Sequence, residues 1–402
     1  MRPWLAVVGI GEDGLPGLTP AGRALVETAE VLVGGKRHLN MVAQCAADRL
    51  LWQRPLDRTI DQIAEHRGRD VTVLASGDPL WYGIGAILVR RFSRDEMTIV
   101  PQPSAFSLAA ARLGWPVADC ATVTLHGRPL DTVRLHLAPG RRILALSGDG
   151  DTPRGVAQLL TGCGWGPSRL VVLAHLGAPR EVVVEKEAQC WGDRRVADLN
   201  TIAIECRGTL SARALPLLAG LPDDAFEHDG QLTKREVRAA TLAALVPLPG
   251  ETLWDVGAGC GSISIEWLRA GAGRSAIAIE RIPARAATIA RNASSLGVPG
   301  LRIITGTAPD ALEGLPIPDA IFAGGGISES RLLLVLWGKL RSGGRLVANA
   351  VTAEGEAQLL DWHGSHGGAL TRITVSRAEP VGPRHLWRSL APVTQLAITK
   401  PE

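Results

Sequence analysis

The residues best suited to chemistry form a glycine-rich turn at positions 253–262, with the sequence LWDVGAGCGS. A strand that ends in glycines lets a ligand approach the backbone, and the N-terminus of the following helix offers free N–H groups. Glu280 closes the next predicted strand, 21 residues after Gly259, where a carboxylate can accept both hydroxyls of a ribose. The spacing predicts a site for a nucleoside-type cofactor. The alternative is an ordinary tight turn between a strand and a helix.

The glycine spacing, G-x-G-x-G, differs from the dinucleotide fingerprint G-x-G-x-x-G, because the sixth position is Ser262. Preceded by Asp-Val, it resembles motif I of the Rossmann-like class I S-adenosylmethionine methyltransferases. The negative charge of Asp255 and Glu280 has the sign that suits a cationic sulfonium. The resemblance implies cofactor contacts at Asp255, Gly257, Gly259, Gly261, Glu280, Thr307 and Ala308. Thr307 stands where many members of that family carry Asp.

A triple glycine at positions 324–326 follows a predicted strand. Because glycine has no side chain, a flat substrate can lie close to the backbone of this segment. The alternative is a flexible loop. The segment lacks the Asn-Pro-Pro-Tyr sequence of the methyltransferases that act on amines.

Three motifs occur in order in the first half: VVGIG at 7–11, SGDP at 76–79 and PQPSAF at 101–106. Together they resemble the blocks of the tetrapyrrole methylases. The resemblance implies a second S-adenosylmethionine site at the carboxyl ends of neighbouring strands. Its expected residues are Gly9, Gly11, Gly77, Asp78, Ser104 and Ala105.

The two resemblances cover nearly the whole chain, and their fusion is similar to the decarboxylating precorrin C5,15-methyltransferases of cobalamin biosynthesis. The resemblance implies methylation of precorrin-6B at C5 by the N-terminal half and at C15 by the C-terminal half. It also implies loss of CO2 from the ring-C (C12) acetate in the C-terminal half, giving precorrin-8. We therefore expect two cofactor sites per chain, an anionic tetrapyrrole substrate, a homo-oligomer and a cytoplasmic location.

Basic side chains are candidates for binding the acetates and propionates of such a substrate, because arginine can bind a carboxylate through two parallel hydrogen bonds. The candidates are Lys36, Arg37, Arg128, Lys234, Arg235 and Arg238. The alternative for each is a solvated surface charge. Decarboxylation also needs a proton, for which His228, Asp229 and Glu236 are candidates, although a capping box with Thr233 also accounts for Glu236. We expect Lys234, Arg238 and His228 to be the catalytic residues.

Composition excludes several other classes of protein. The chain has 402 residues, 46% hydrophobic and 21% charged, which is typical of a globular protein of two or three domains. A net charge of +3 and few aromatic residues argue against nucleic-acid binding. The six cysteines form no C-x-x-C pair, which argues against a zinc site. Apolar runs are too short to span a membrane.

Alternating strand and helix patterns place these motifs in an α/β protein with mostly parallel sheets. The predicted strands are 5–8, 30–33, 71–74, 98–100, 123–125, 143–146, 170–174, 182–185, 201–205, 252–256, 276–279, 301–304, 320–323, 345–350, 370–375 and 394–398. The resemblances imply a two-lobed tetrapyrrole methylase (class III) fold at 1–210 and a Rossmann-like class I fold at 231–402. A polar, proline-containing stretch at 211–230 is expected to link them. The remaining alternative is a class I enzyme acting on RNA, protein or an amine beside a non-catalytic N-terminal domain.

Overall fold

The computed structural model describes residues 3–329 and 331–402, which form two compact units. The first comprises the described residues up to Leu130 together with Ala138–Arg213, and the second comprises Asp131–Leu137 together with Ala214–Glu402.

The first unit contains two five-stranded sheets. Its strands are β1 Leu5–Ile10, β2 Val31–Gly34, β3 Asp48–Leu51, β4 Val71–Ser76, β5 Met97–Val100, β6 Cys120–Thr124, β7 Arg142–Leu146, β8 Arg169–Ala174, β9 Val182–Glu187 and β10 Asn200–Glu205. Its helices are α1 Pro20–Glu27, α2 Lys36–Met41, α3 Leu56–Glu65, α4 Gly85–Leu88, α5 Ala105–Leu113 and α6 Thr152–Gly162. The first sheet has the order β3-β2-β4-β1-β5 and the second β6-β7-β10-β8-β9.

The first sheet is entirely parallel. Strand β1 is buried along its whole length, which explains its continuous apolar sequence, because helices cover both faces of a parallel sheet. In the second sheet, β10 runs antiparallel to both of its neighbours, β7 and β8.

The second unit is built on a seven-stranded sheet. Its strands are β11 Thr252–Val256, β12 Ser275–Glu280, β13 Arg302–Thr305, β14 Ala320–Ala323, β15 Arg345–Ala350, β16 Ala369–Ile373, β17 Ser376–Val381, β18 Arg384–Ser389 and β19 Val393–Thr399. Its helices are α7 Arg235–Leu245, α8 Ser262–Arg269, α9 Pro283–Ser295, α10 Leu332–Lys339 and α11 Ala353–His366. The sheet order is β13-β12-β11-β14-β15-β19-β16, and β17 and β18 pair as a separate hairpin.

Strands β11 to β15 are parallel, and their order is that of a doubly wound sheet. The strand order reverses between β11 and β14, and ligands bind at such a switch point, outside the carboxyl ends of the strands. The two strands added at the edge, β19 and β16, are antiparallel to their neighbours. The expected α/β class and the Rossmann-like C-terminal fold are confirmed.

The start of α7 corrects the expected capping box. The helix begins at Arg235, its N-cap is Lys234, and no side chain of the N-cap residue bonds to the helix. The carboxylate of Asp223 accepts a hydrogen bond from the Arg235 backbone N–H at 2.9 Å. Glu236 instead forms an ion pair with Arg377, at 2.6 Å. An acidic residue twelve positions upstream thus caps the helix, which a local motif cannot reveal.

Part of the segment that we expected to be a linker packs into the core of the second unit. Leu221 and Phe226 are buried there among residues of α7, α8 and α9. The backbone N–H groups of Gly220 and Leu221 donate to the buried Glu266 carboxylate at 2.6 and 2.9 Å. Residues from 214 onward therefore belong to the C-terminal unit.

Candidate functional site

A cavity of about 630 Å³ lies in the second unit, at the carboxyl ends of the parallel strands. Such a volume is in the range that holds a small molecule. One half is lined by residues that follow β11, β12 and β13, among them five of the predicted cofactor residues: Gly257, Gly259, Glu280, Thr307 and Ala308. The other half lies beyond the switch point, where α7, β14, β15 and β19 contribute. The triple glycine at 324–326 also lines the cavity.

Glu280 is held rigidly at the end of β12. Its side chain is buried, with the residue 4% exposed, yet it lines the cavity. One carboxylate oxygen accepts a hydrogen bond from the Gly259 N–H at 2.9 Å, and the other accepts one from the Ile282 N–H at 3.0 Å. Each oxygen keeps a second lone pair, so the carboxylate can accept two hydroxyl groups from a ligand.

The three glycines of the turn have different tasks. Gly257 has a φ of +73°, and a Cβ at this position would lie 2.8 Å from the backbone of Gly325. Gly259 has a φ of +60°, and its Cβ would contact only the Gln231 carbonyl oxygen, at 3.6 Å. Gly261 does not line the cavity. A Cβ there would lie 2.7 Å from the side chain of Ile289 on α9, so this glycine allows helix packing.

Asp255 lies behind the turn, outside the lining of the cavity. The residue is fully buried, and one carboxylate oxygen accepts hydrogen bonds from the Ser264 backbone N–H, at 3.0 Å, and from the Ser264 hydroxyl. Burial raises the pKa of Asp255 to about 6, although the bonds to Ser264 oppose the shift. Asp255 thus anchors the first turn of α8 to β11.

Only one of the three expected catalytic residues, Lys234, lines the cavity. Arg238 is fully buried and forms ion pairs with Glu266, at 2.6 Å, and Asp223, at 3.2 Å. His228 lies outside the cavity lining, and its Nδ1 accepts a hydrogen bond from the Gly230 N–H at 3.0 Å. The structure therefore places neither Arg238 nor His228 in the cavity lining, and the catalytic role expected for each stays a prediction.

The buried position of Arg238 has a physical reason. Lys234 precedes α7, whereas Arg238 lies one turn inside the helix, where its guanidinium stacks over the ring of Phe226 at 4.7 Å and bonds to Glu266 of α8. The buried partner lies 28 residues away in the sequence. Nearness of two basic residues in the sequence does not imply a shared site.

Other residues that line the cavity were not predicted from the sequence. Charged ones are Arg281, Arg285 and Glu329, and the second half of the cavity adds Asn349 and the apolar residues Val351, Val375, Leu390 and Val393. Arg285 forms an ion pair with Asp229 at 2.7 Å. The signal that could have indicated Asn349 is an amide near the end of an otherwise apolar predicted strand.

In the first unit, the predicted cofactor segments come together. A Cβ on Gly9 would lie 1.9 Å from the Gly77 carbonyl oxygen, and one on Gly77 would lie 3.0 Å from the Ser104 backbone. The neighbouring Gln102 has a buried side-chain nitrogen with no hydrogen-bond partner. A buried donor without a partner is costly, and a ligand at this junction could satisfy it.

The other predicted residues of this unit have local partners. A Cβ on Gly11 would lie 2.6 Å from the Asp13 carboxylate. Asp78 accepts a hydrogen bond from the Leu80 N–H at 2.8 Å. Ser104 caps α5, whose first residue is Ala105.

The basic candidates of the first unit also have defined surroundings. Arg37 pairs with Glu12, which also accepts bonds from His175 and Arg180, both at 3.1 Å. Burial raises the pKa of Glu12, but the bonds from Arg180, Arg37 and His175 outweigh burial and hold it below its usual value. Lys36 is the first residue of α2. Arg128 lies over the ring of Tyr82 at 5.8 Å.

Within the part of the chain that the structure describes, no group of three or more His, Cys, Asp or Glu residues is arranged to hold a metal ion. None of the described helices combines the length and the apolar character needed to cross a membrane.

Two family models match the chain. The model for tetrapyrrole (corrin/porphyrin) methylases matches residues 5–189, and the model for the precorrin methyltransferase domain matches residues 224–400. Together with the doubly wound sheet and its cavity, these matches define a methyltransferase made of two methylase domains.

Similarity to a named relative identifies the family within this class. The chain is 51% identical, over 401 residues, to a protein of Sinorhizobium sp named precorrin-6Y C(5,15)-methyltransferase (decarboxylating), with 100% of this chain and 97% of the relative covered. The chain therefore belongs to the family of the decarboxylating precorrin-6Y C(5,15)-methyltransferases. The resemblance that the sequence motifs indicate is confirmed.

Two shorter relatives are named for single methylations. The cobalt-precorrin-7 C(5)-methyltransferase of Salmonella typhimurium is 33% identical over 177 residues, covering 44% of this chain and 87% of that protein. The probable cobalt-precorrin-6B C(15)-methyltransferase (decarboxylating) of Pyrobaculum aerophilum is 34% identical over 182 residues, covering 43% of this chain and 92% of that protein.

Proposed function

We propose that the chain methylates precorrin-6B at C5 and C15 with S-adenosylmethionine and removes CO2 from the ring-C (C12) acetate, giving precorrin-8 in cobalamin biosynthesis. Membership of the family supports the reaction. The observation that carries the proposal is a cavity whose lining combines Glu280 and the glycine turn, which suit a nucleoside, with residues of β14, β15 and β19 across the switch point, which suit a substrate. Two cofactor sites per chain, a cytoplasmic location and a homo-oligomer are part of the proposal.

The residues of the first half of the cavity suit the cofactor. The fixed Glu280 carboxylate can accept the ribose diol, and Gly259 leaves open space where a side chain would intrude on the cavity. Thr307 and Ala308 lie at the same edge, after β13, where the adenine would bind. S-Adenosylmethionine supplies an electrophilic methyl group, so the protein has to align that group with the accepting carbon rather than generate a strong base.

The second half of the cavity suits a flat, anionic macrocycle. The triple glycine provides a surface without side chains, and Val375, Leu390 and Val393 provide apolar contacts. Lys234 supplies a positive charge at the cavity wall, where it can bind a carboxylate of the substrate. During decarboxylation the electron pair of the breaking carbon–carbon bond passes into the conjugated macrocycle, CO2 leaves, and a proton from water replaces it on carbon.

The close junction of Gly9, Gly77 and Ser104 supports a second cofactor site, in the first unit. The buried, unpaired nitrogen of Gln102 at that junction suits a polar ligand. We assign C5 methylation to this unit, and C15 methylation with decarboxylation to the C-terminal unit. The existence of separate relatives named for C(5) and for C(15) methylation supports the assignment.

The proposal is tested by incubating the purified full-length protein with precorrin-6B and S-adenosylmethionine and measuring the product by mass spectrometry. We expect two methyl groups gained and one CO2 lost. A chain that binds the cofactor but leaves precorrin-6B unchanged would overturn the proposal and would favour a different substrate.

A further inference from the structure

A buried network of three polar side chains lies behind the second half of the cavity. Thr241 of α7 is fully buried, and Gln395 of β19 is 5% exposed. The side-chain nitrogen of Asn349, on β15, donates to the Thr241 hydroxyl at 2.9 Å. The side-chain nitrogen of Gln395 donates to the Asn349 carbonyl oxygen at 2.9 Å and to the Thr241 hydroxyl at 3.0 Å.

The backbone fixes the direction of every bond in this network. The Thr241 hydroxyl donates its single hydrogen to the Val237 carbonyl oxygen, at 2.8 Å, so it can only accept from its two amide neighbours. Asn349 must therefore turn its nitrogen toward Thr241 and its oxygen toward Gln395. One N–H hydrogen and one lone pair of Asn349 remain for a ligand.

Asn349 belongs to the part of the cavity that the cofactor leaves to the substrate. It lines the cavity from β15, two strands beyond β11 and across the switch point from Glu280. Its neighbours in the lining include Val351 and Val393. A neutral donor among apolar side chains can direct a carboxylate without giving it the stabilisation of a full positive charge.

We infer that Asn349 is a substrate-contacting residue whose free N–H donates to the carboxylate that is lost as CO2, and that Thr241 and Gln395 are positioning residues. The inference rests on the proposed function. Loss of CO2 is easiest when the breaking bond is aligned with the conjugated system that takes its electron pair. A single directed hydrogen bond to one carboxylate oxygen sets that alignment.

The test uses full-length protein with precorrin-6B and S-adenosylmethionine, and follows CO2 release and methyl gain separately. We expect Asn349→Leu, which keeps the size of the side chain but removes its donor, to lower kcat for CO2 release about tenfold or more. Cofactor affinity should stay within about twofold, because the Glu280 half of the cavity is unchanged.

A second pair of variants separates positioning from general destabilisation. Thr241→Val keeps the shape of the residue but removes the acceptor that orients Asn349, so we expect it to lower kcat for CO2 release with little change in cofactor affinity. Thr241→Ser keeps the hydroxyl, and we expect it to retain the wild-type rate within about twofold.

The outcomes distinguish a failure of the proposed function from a failure of the inference about Asn349. If wild-type protein neither methylates precorrin-6B nor releases CO2, the proposed function fails. If wild-type protein does both, and Asn349→Leu or Thr241→Val releases CO2 at the wild-type rate, the inference about Asn349 fails while the proposed function stands. Equal losses in Thr241→Val and Thr241→Ser would also overturn it, because a hydroxyl-dependent role requires them to differ.

Discussion

Glu280 is the residue that we expect to contribute most to cofactor binding in the C-terminal cavity. Both of its carboxylate oxygens accept backbone N–H bonds, from Gly259 and Ile282. A glutamine would direct an NH2 group toward one of these donors and would also lose the charge. We expect Glu280→Gln to weaken cofactor binding at this site about tenfold or more, since a hydrogen bond to a charged group contributes about 1.5–3 kcal/mol.

Equilibrium dialysis of the full-length protein with labelled S-adenosylmethionine measures this effect. We expect the wild type to bind two equivalents, and we expect Glu280→Gln to keep one site at wild-type affinity while the affinity of the other falls about tenfold or more. Glu313→Gln, a change at an exposed carboxylate, is the matched control. Two equivalents with unchanged affinity in Glu280→Gln would remove Glu280 from the site.

Asp255 gives the C-terminal unit a pH dependence of its own. Burial raises its pKa from 3.8 to about 6, so between these values the folded state binds more protons than the unfolded state. The contribution of Asp255 to the free energy of unfolding therefore falls as the pH rises through this window, by about 3 kcal/mol in all. The amide introduced by Asp255→Asn would not titrate, yet its carbonyl oxygen could still accept from Ser264.

We therefore expect the free energy of unfolding of wild type relative to Asp255→Asn to fall as the pH is raised from about 4 to about 7. Denaturant unfolding of the two proteins at several pH values, followed through the transition of the C-terminal unit, measures the difference. A difference that is independent of pH would contradict the raised pKa.

At the scale of the elements, two glycine loops that line the cavity meet at the switch point. Gly257 has a φ of +73°, and a Cβ there would lie 2.8 Å from Gly325, whereas a Cβ on Gly325 would lie 3.5 Å from Gly257, an ordinary contact. We expect Gly257→Ala to destabilise the C-terminal unit by about 1–3 kcal/mol, and Gly325→Ala to do so much less.

Thermal unfolding of the two alanine variants compares them directly, since both place one methyl group at the same junction from opposite sides. Equal destabilisation would contradict this expectation, because both the left-handed backbone and the 2.8 Å approach occur at Gly257 and neither occurs at Gly325.

At this scale, the sequence predicts a structural feature when the residues that cause it are neighbours along the chain. The turn from β11 into α8 could be predicted, because apolar residues, glycines and an acidic residue follow one another along the chain. Arg238 could not be placed, because its partner Glu266 lies on another helix. The hairpin of β17 and β18 is exposed along most of its length, so it has no apolar alternation to reveal it.

At the scale of the whole molecule, the C-terminal unit includes residues that the composition of the chain assigned to a linker. Leu221 and Phe226 are buried in its core, and the N–H groups of Gly220 and Leu221 bond to Glu266. A fragment that starts at residue 231 loses these contacts and leaves the buried carboxylate short of donors.

We therefore expect a 214–402 fragment to be more stable than a 231–402 fragment by several kcal/mol, on the order of one large core truncation plus the loss of two buried hydrogen bonds to Glu266. Urea denaturation of the two fragments measures the difference. Both lack residues 131–137, so the comparison isolates residues 214–230. Equal stability would mean that this segment behaves as a linker.

The reaction proposed for this chain adds methyl groups at two positions and removes one carboxylate. The most direct test gives the full-length protein precorrin-6B and S-adenosylmethionine with a 13C-labelled methyl group, and reads the product by NMR and mass spectrometry. The account predicts labelled methyl groups at C5 and C15, and an unlabelled methyl group in place of the ring-C acetate. A single labelled methyl group, label at any other carbon, or an intact ring-C acetate would contradict it.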